Sequence, residues 1–149
     1  MIEGIIVKNL NKYKDERGWL AEIFRNDEIS KYPVMSYVSA TKPGVVRGPH
    51  EHVYQTDIFA FVGPGTVELN LWDRRENSET NGEHMKIEAG ENNPSMIIVP
   101  PGIVHAYKCI SEKEAWCINL PDKLYKGEGK KEEVDEIRWE NKKDSPYKL

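Results

Sequence analysis

Three histidines and one arginine are the residues of this chain best suited to chemistry. Arg47, His50 and His52 stand in Val45-Val46-Arg47-Gly48-Pro49-His50-Glu51-His52, and His105 closes Pro100-Pro101-Gly102-Ile103-Val104-His105. Each segment sets a turn former a few residues before a histidine, which puts imidazoles on two separate strands. Imidazole is matched to proton transfer near neutral pH and is also the commonest metal ligand. If both strands line one barrel, the rings converge on a single cavity and serve one of those two uses.

The elements that must carry these rings read as strands. Runs at 19–25, 34–41, 56–62, 66–72, 84–87, 96–99, 104–110 and 116–120 are separated by Gly, Pro and Asn turns such as Lys42-Pro43-Gly44 and Gly63-Pro64-Gly65. Short strands so punctuated predict an all-β sandwich or barrel. The last two runs are expected to form a hairpin around Ser111-Glu112-Lys113-Glu114. That register sets Tyr107 opposite Ile118, and sends Cys117 to the far side of the sheet from the pair Cys109 and Trp116. Both cysteines are expected to be reduced thiols. Residues 121–149 are polar and Gly-interrupted; within them 134–139 reads as a short helix or an edge strand, with Ile137 and Trp139 packed back on the barrel.

A chain of 149 residues is expected to be one domain. A net charge of −4 leaves no basic footprint for nucleic acid, and no apolar run approaches the ~20 residues of a membrane span. Glu3 stands where a signal peptide would be basic, so a cytoplasmic location is expected.

Four blocks in order carry a resemblance. They are Asp15-Glu16-Arg17-Gly18-Trp19-Leu20-Ala21-Glu22-Ile23-Phe24-Arg25, Val45 to His50, Val99 to His105, and Ile137-Arg138-Trp139-Glu140-Asn141. Together they resemble the dTDP-4-dehydrorhamnose 3,5-epimerases. The resemblance implies a cupin-type double-stranded β-helix, or jelly roll, with a short C-terminal extension. N-terminal strands in 1–30 would lie at a homodimer interface, 31–120 would form the barrel and 121–149 the extension. It implies a nucleoside-diphosphate 4-keto-6-deoxyhexose as substrate, no metal or cofactor, and a place in polysaccharide biosynthesis. His50 matches the base that removes a proton beside the ketone, and Arg47 a group near sugar and diphosphate. Arg17 and Glu22 match nucleotide-binding residues, Arg17 acting across the subunit interface.

Three positions depart from the family pattern. The acid tyrosine is replaced by Ile118, the sheet lysine falls near Thr56 or Asp57, and the C-terminal aspartate that pairs with the base has no match up to Leu149. Tyr107 is then the candidate acid and His105 a cavity-wall or proton-relay group. Gln55 is placed to bond a sugar hydroxyl, and Tyr125 to lie over the cavity. Trp19 and Trp72 are read as packing residues and His84 as solvated. Two alternatives stand beside this reading. His50, His52, Asp57 and His105 fit a metal-dependent cupin enzyme holding a divalent transition metal, since His50 and His52 share a strand face. The missing groups also fit a cupin that binds nucleotide sugar without turnover.

Overall fold

Alternation of apolar side chains in the chain's middle gives most strands one inward face, and the fold follows from pairing those faces. The computed structural model describes all residues, 1–149. Twelve strands form: β1 (Ile6–Asn9), β2 (Tyr13–Asp15), β3 (Gly18–Leu20), β4 (Tyr37–Thr41), β5 (Val46–Glu51), β6 (Asp57–Phe61), β7 (Thr66–Asp73), β8 (His84–Gly90), β9 (Ser95–Val99), β10 (Ile103–Cys109), β11 (Ala115–Asn119) and β12 (Ile137–Arg138). One five-stranded sheet runs β1-β9-β6-β11-β4 and the other β12-β5-β10-β7-β8, all antiparallel. From β4 to β11 the chain passes from sheet to sheet at nearly every turn, staying within one sheet only for the β7–β8 hairpin. This alternation is the double-stranded β-helix of a jelly roll.

Phe59, Phe61, Val67, Leu69, Leu71, Ile97, Val99, Tyr107, Cys109, Ala115 and Cys117 meet between the sheets, and Ile2 and Ile5 close one end. A second cluster of Leu10, Ile58, Val62, Met96 and Ile98 covers the outer face of the first sheet under Ile23, Phe24 and Ile29. β6 and β9 are therefore buried on both faces, which is why they read as unbroken apolar runs instead of alternating.

Several expectations need correction. The barrel does not begin at residue 31: β1 pairs along β9, because Ile2 and Ile5 have the core as their burial site. Of the run 19–25 only Trp19 and Leu20 are in a strand, while Ile23 and Phe24 fold over the outer cluster. The expected hairpin is absent. β10 lies between β5 and β7 while β11 lies between β6 and β4, so residues 111–114 bridge the two sheets. Both strands have inward apolar faces, and facing one another across the core buries both where a flat hairpin would bury one. Tyr107 pairs with Leu69 and Arg47, whereas Ile118 pairs with Val38 and Ala60 and points to the outer cluster. Cys109 and Cys117 consequently both point inward, as free thiols.

Candidate active site

β5 and β10 bring the two histidine segments side by side. His50 lies directly across from His105, and the ladder is irregular between His105 and Tyr107. Gly48 makes this approach possible. Its φ of +88° lies in the left-handed region, and a Cβ there would come 2.7 Å from the His105 carbonyl oxygen. The rings of His50 and His105 meet edge to face with centroids 4.5 Å apart, and His52 stands 5.8 Å from His105.

Asp57, at the start of β6, sits beneath these rings and is 1 % exposed. Its Oδ2 is 3.2 Å from His52 Nε2 and 3.4 Å from His105 Nε2. Its Oδ1 accepts from Gln55 Nε2 at 2.8 Å and from Asn119 Nδ2 at 2.9 Å. The other ring nitrogens are anchored on the main chain: His105 Nδ1 contacts the Ile103 carbonyl at 3.1 Å, and His52 Nδ1 contacts that of Asp135.

Burial holds the His50 imidazolium far below its ordinary range, at about 2, and the neighbouring His105 and His52 add to the shift. His105 is likewise lowered to about 4 by burial, against the pull of Asp57. Burial also opposes charge on His52, yet its hydrogen bond to Asp57 and the carboxylate's charge raise it to about 9. For Asp57 the penalty of burial is outweighed by the His52 hydrogen bond and the charges of His105 and His52, which hold it near 2. At neutral pH the cluster thus contains one ion pair, His52 with Asp57, beside a neutral His50 and a neutral His105.

A cavity of about 1170 Å³ opens above His50 and His52. Its wall carries Arg47, Tyr107, Ser39, Tyr37 and Cys117. Arg47 ties the two sheets, donating from Nε to Thr41 Oγ1 and from Nη2 to the Ala40 carbonyl, each at 2.8 Å. The Tyr107 hydroxyl is 3.0 Å from Ser39 Oγ, and burial raises its pKa above the ordinary phenol value. Asn119 also donates to Tyr37 Oη at 2.8 Å, linking a second cavity phenol to Asp57.

The C-terminal segment forms the roof. Asp122 Oδ1 accepts the N–H of Thr56 at 2.7 Å, and the Asp135 carboxylate accepts those of Val53, Tyr54 and Gln55, each at 2.9 Å. Four successive main-chain donors of the loop between the histidines and Asp57 are thus capped from the roof. β12 then joins the edge of β5, opposite His50 and Glu51. Glu51 faces outward yet is buried, bonded to Arg74 at 2.7 Å and to Trp139 Nε1 at 3.2 Å. This register brings Glu136 Oε1 to 3.9 Å from His50 Nδ1, while Arg138 Nε holds its other oxygen at 2.7 Å.

A sequence model described as dTDP-4-dehydrorhamnose 3,5-epimerase matches residues 1–144. The chain belongs to that family. A probable low-salt glycan biosynthesis epimerase, Agl13 of Haloferax volcanii, is 39% identical over 135 residues, covering 89% of this chain and 86% of that protein. Among solved structures, a dTDP sugar isomerase from Desulfovibrio desulfuricans G20 shares the fold with a TM-score of 0.83 at 24% identity, covering 99% of this chain and 91% of its own. The epimerase of Legionella pneumophila Philadelphia 1, solved with dTDP-4-keto-L-rhamnose, gives 0.75 at 23% identity, with coverage of 83% and 69%. Membership of this epimerase family places the chain in the isomerase class and confirms the jelly roll implied by its motifs.

Against the epimerase pattern, His50, Arg47, Tyr107, Gln55 and Tyr125 all line the cavity, together with His52. His105 and Asp57 lie under its floor. Arg17 and Glu22 stand apart from the cavity within one chain: Arg17 is exposed and paired with Asp15 beside the β2–β3 turn, and Glu22 is paired with Arg25. Where a C-terminal acid is expected to be missing, the β12 register brings Glu136 Oε1 to 3.9 Å from His50 Nδ1, beyond hydrogen-bond distance. His84 is not simply solvated, since it stacks on Trp72 at 4.7 Å. Trp72 packs further against Tyr147, away from the cavity. Sequence reasoning missed Tyr37, Asn119, Asp122, Asp135 and Glu136. Only the last had a signal, an acid beside Ile137-Arg138-Trp139.

Proposed function

We propose that this chain is an epimerase or keto-isomerase of a nucleoside-diphosphate-linked 4-keto-6-deoxyhexose such as a dTDP sugar. The observation that carries the reading is the placement of His50 in the cavity with Arg47 and Tyr107 on the same wall and Glu136 Oε1 3.9 Å from its Nδ1. In the proposed step His50 takes the proton from the carbon beside the ketone, and the C–H electrons move onto the carbonyl oxygen as an enolate. Glu136 favours the imidazolium formed, by charge. Tyr107, kept protonated by burial, returns a proton to the carbon from the other face. Exchange with solvent then restores both groups. His105 backs the base, Gln55 and Tyr125 contact the sugar side, and Arg47 faces the enolate or diphosphate.

Arg17 and Glu22 are proposed to bind the nucleotide of a partner subunit in a homodimer. The β2–β3 hairpin supports this, because it carries Arg17 away from its own cavity and exposes Trp19 and Leu20 beside it. We place the reaction in the cytoplasm, on a route to a surface glycan.

The experiment is solvent deuterium exchange into dTDP-4-keto-6-deoxyglucose. Wild type is expected to incorporate deuterium next to the ketone. His50→Ala should lose roughly 10²–10⁴-fold in exchange rate, the span of a positioned general base. Tyr107→Phe should keep exchange but lose inverted product. No exchange by wild type, with retained binding of dTDP, would leave a binding protein and end the enzyme reading.

A further inference from the structure

Asn119 is buried between the cavity floor and its wall, and the two ends of its amide are unequally used. Nδ2 donates one hydrogen to Asp57 Oδ1 at 2.9 Å and the other to Tyr37 Oη at 2.8 Å. Oδ1 is buried without a hydrogen-bond partner. Turning the amide over would place Oδ1 at the Tyr37 hydroxyl, which could then donate to it. The same turn would set Oδ1 against Asp57 Oδ1, two acceptors with no proton between them. Asp57 is a buried carboxylate paired with His52, and its oxygens must receive donors, so the amide is held as it stands. The consequence falls on Tyr37. A phenol has one proton to give and lone pairs that receive. Its oxygen receives from Asn119, the hydroxyl's only hydrogen bond within the chain, so its own proton is left unused.

Tyr37 stands opposite Asn119 in the β4–β11 ladder and lines the cavity, half-exposed. His50 faces the same cavity from β5, in the other sheet. Other polar groups of the walls are already engaged. Arg47 spends Nε and Nη2 on Thr41 and the Ala40 carbonyl, and the Tyr107 hydroxyl is shared with Ser39. Burial raises the Tyr37 pKa above the ordinary phenol value against the effect of the Asn119 bond, and the Asp57 charge adds to the rise, so the proton is present at neutral pH. We propose that Tyr37 is a catalytic residue whose hydroxyl donates a hydrogen bond to the keto oxygen of the sugar. The proposal rests on the reaction given above for His50. As His50 takes the proton from the neighbouring carbon, the C–H pair becomes a C=C bond and the carbonyl π pair moves onto the oxygen. The phenol meets the charge that develops there and keeps its proton. A donor whose orientation is fixed before the substrate arrives costs no reorganisation as that charge appears.

The test compares wild type with Tyr37→Phe, which keeps the ring and removes only the hydroxyl, each checked for native circular dichroism and for binding of dTDP, which has no ketone. The first readout needs no turnover: the carbonyl resonance of dTDP-4-keto-6-deoxyglucose carrying ¹³C at C4, bound at saturation. It should move downfield on binding to wild type and return toward its free position in Tyr37→Phe. The second readout is solvent deuterium exchange, which should slow roughly 10²–10³-fold in the variant, the cost of removing one donor to a developing oxyanion. A wild type that does not shift the carbonyl overturns the assignment. So does a Tyr37→Phe that keeps the shift, that exchanges at the wild-type rate where wild type exchanges, or that loses dTDP binding as well. A wild type that shifts the carbonyl through Tyr37 yet exchanges no deuterium would end the enzyme reading and leave the contact standing.

Discussion

Asp57 and Asp73 are both buried carboxylates at strand ends, and they differ in how their oxygens are occupied. Every contact to Asp73 is a donor. Arg75 N and Nε reach Oδ1 at 3.0 and 2.9 Å, while Arg75 Nη2, Ser78 Oγ and Thr80 Oγ1 reach Oδ2 at 2.8, 2.6 and 2.7 Å. Arg75 also donates to the Glu3 carbonyl at 2.7 Å, so this carboxylate ties the 73–82 loop to the N-terminus. It is a completed structural joint. Asp57 Oδ1 accepts from two amides and Oδ2 faces His52, while the neighbouring His105 Nε2 is buried without a hydrogen-bond partner. A network kept only for stability would have given His105 Nε2 a partner as well, because an unmet buried polar atom costs about 1–3 kcal/mol. The Asp57 network leaves one buried atom open beside the cavity, and the Asp73 carboxylate leaves none.

That contrast can be broken by exchanging each carboxylate for its amide. Asp73→Asn removes the charge facing Arg75 and sets an NH₂ against donors. It should destabilise the fold by about 3 kcal/mol in urea denaturation, without altering the cavity. The same residue sets a pH limb. Burial works against its charge, but the hydrogen bonds from Arg75, Ser78 and Thr80 outweigh it and hold its folded pKa below that of an unfolded aspartate. Its contribution is therefore complete above about pH 4 and is lost as pH falls toward the folded value. Acid titration of Tm should show this loss in wild type and a flatter acid limb in Asp73→Asn.

Smaller effects sharpen the comparison. Asp135→Ala frees the three N–H groups of Val53, Tyr54 and Gln55 and loosens the roof. About 1–2 kcal/mol of stability should be lost, with faster amide exchange confined to 53–55 and a rise in KM larger than the fall in kcat. Asp57→Asn keeps an amide oxygen to accept from Gln55 and Asn119 but removes the charge facing His52, and should cost about 1–2 kcal/mol. A loss as large as that of Asp73→Asn would show Asp57 to be a structural joint too.

Much of the site was legible in local pattern. His50 and His52 two residues apart had to share a face, and Arg47-Gly48 had to bend toward a neighbour. The Pro-Pro-Gly turn before His105 set a strand start, and the ordered blocks specified the jelly roll. Strand identity in β6 and β9 was legible as well, although their double burial hid the alternation. The pairing of β10 and β11 was not. A Cys109–Cys117 loop of this length suits a hairpin locally, and only the inward faces of both strands decide against it.

By itself, then, the sequence determined which residues could do chemistry and on which face of a strand each one lies, because side-chain direction follows from a period of two within a single segment. Tertiary structure alone decided what those residues meet. Glu136 reaches His50, and Asp135 reaches the loop after His52, across some eighty residues of chain. They do so because β12 adds to the edge of β5, buries Glu51 against Arg74 and Trp139, and carries two acids over the histidines. Such encounters depend on which edges and faces remain to be covered once the whole barrel has closed, and no local window contains that information.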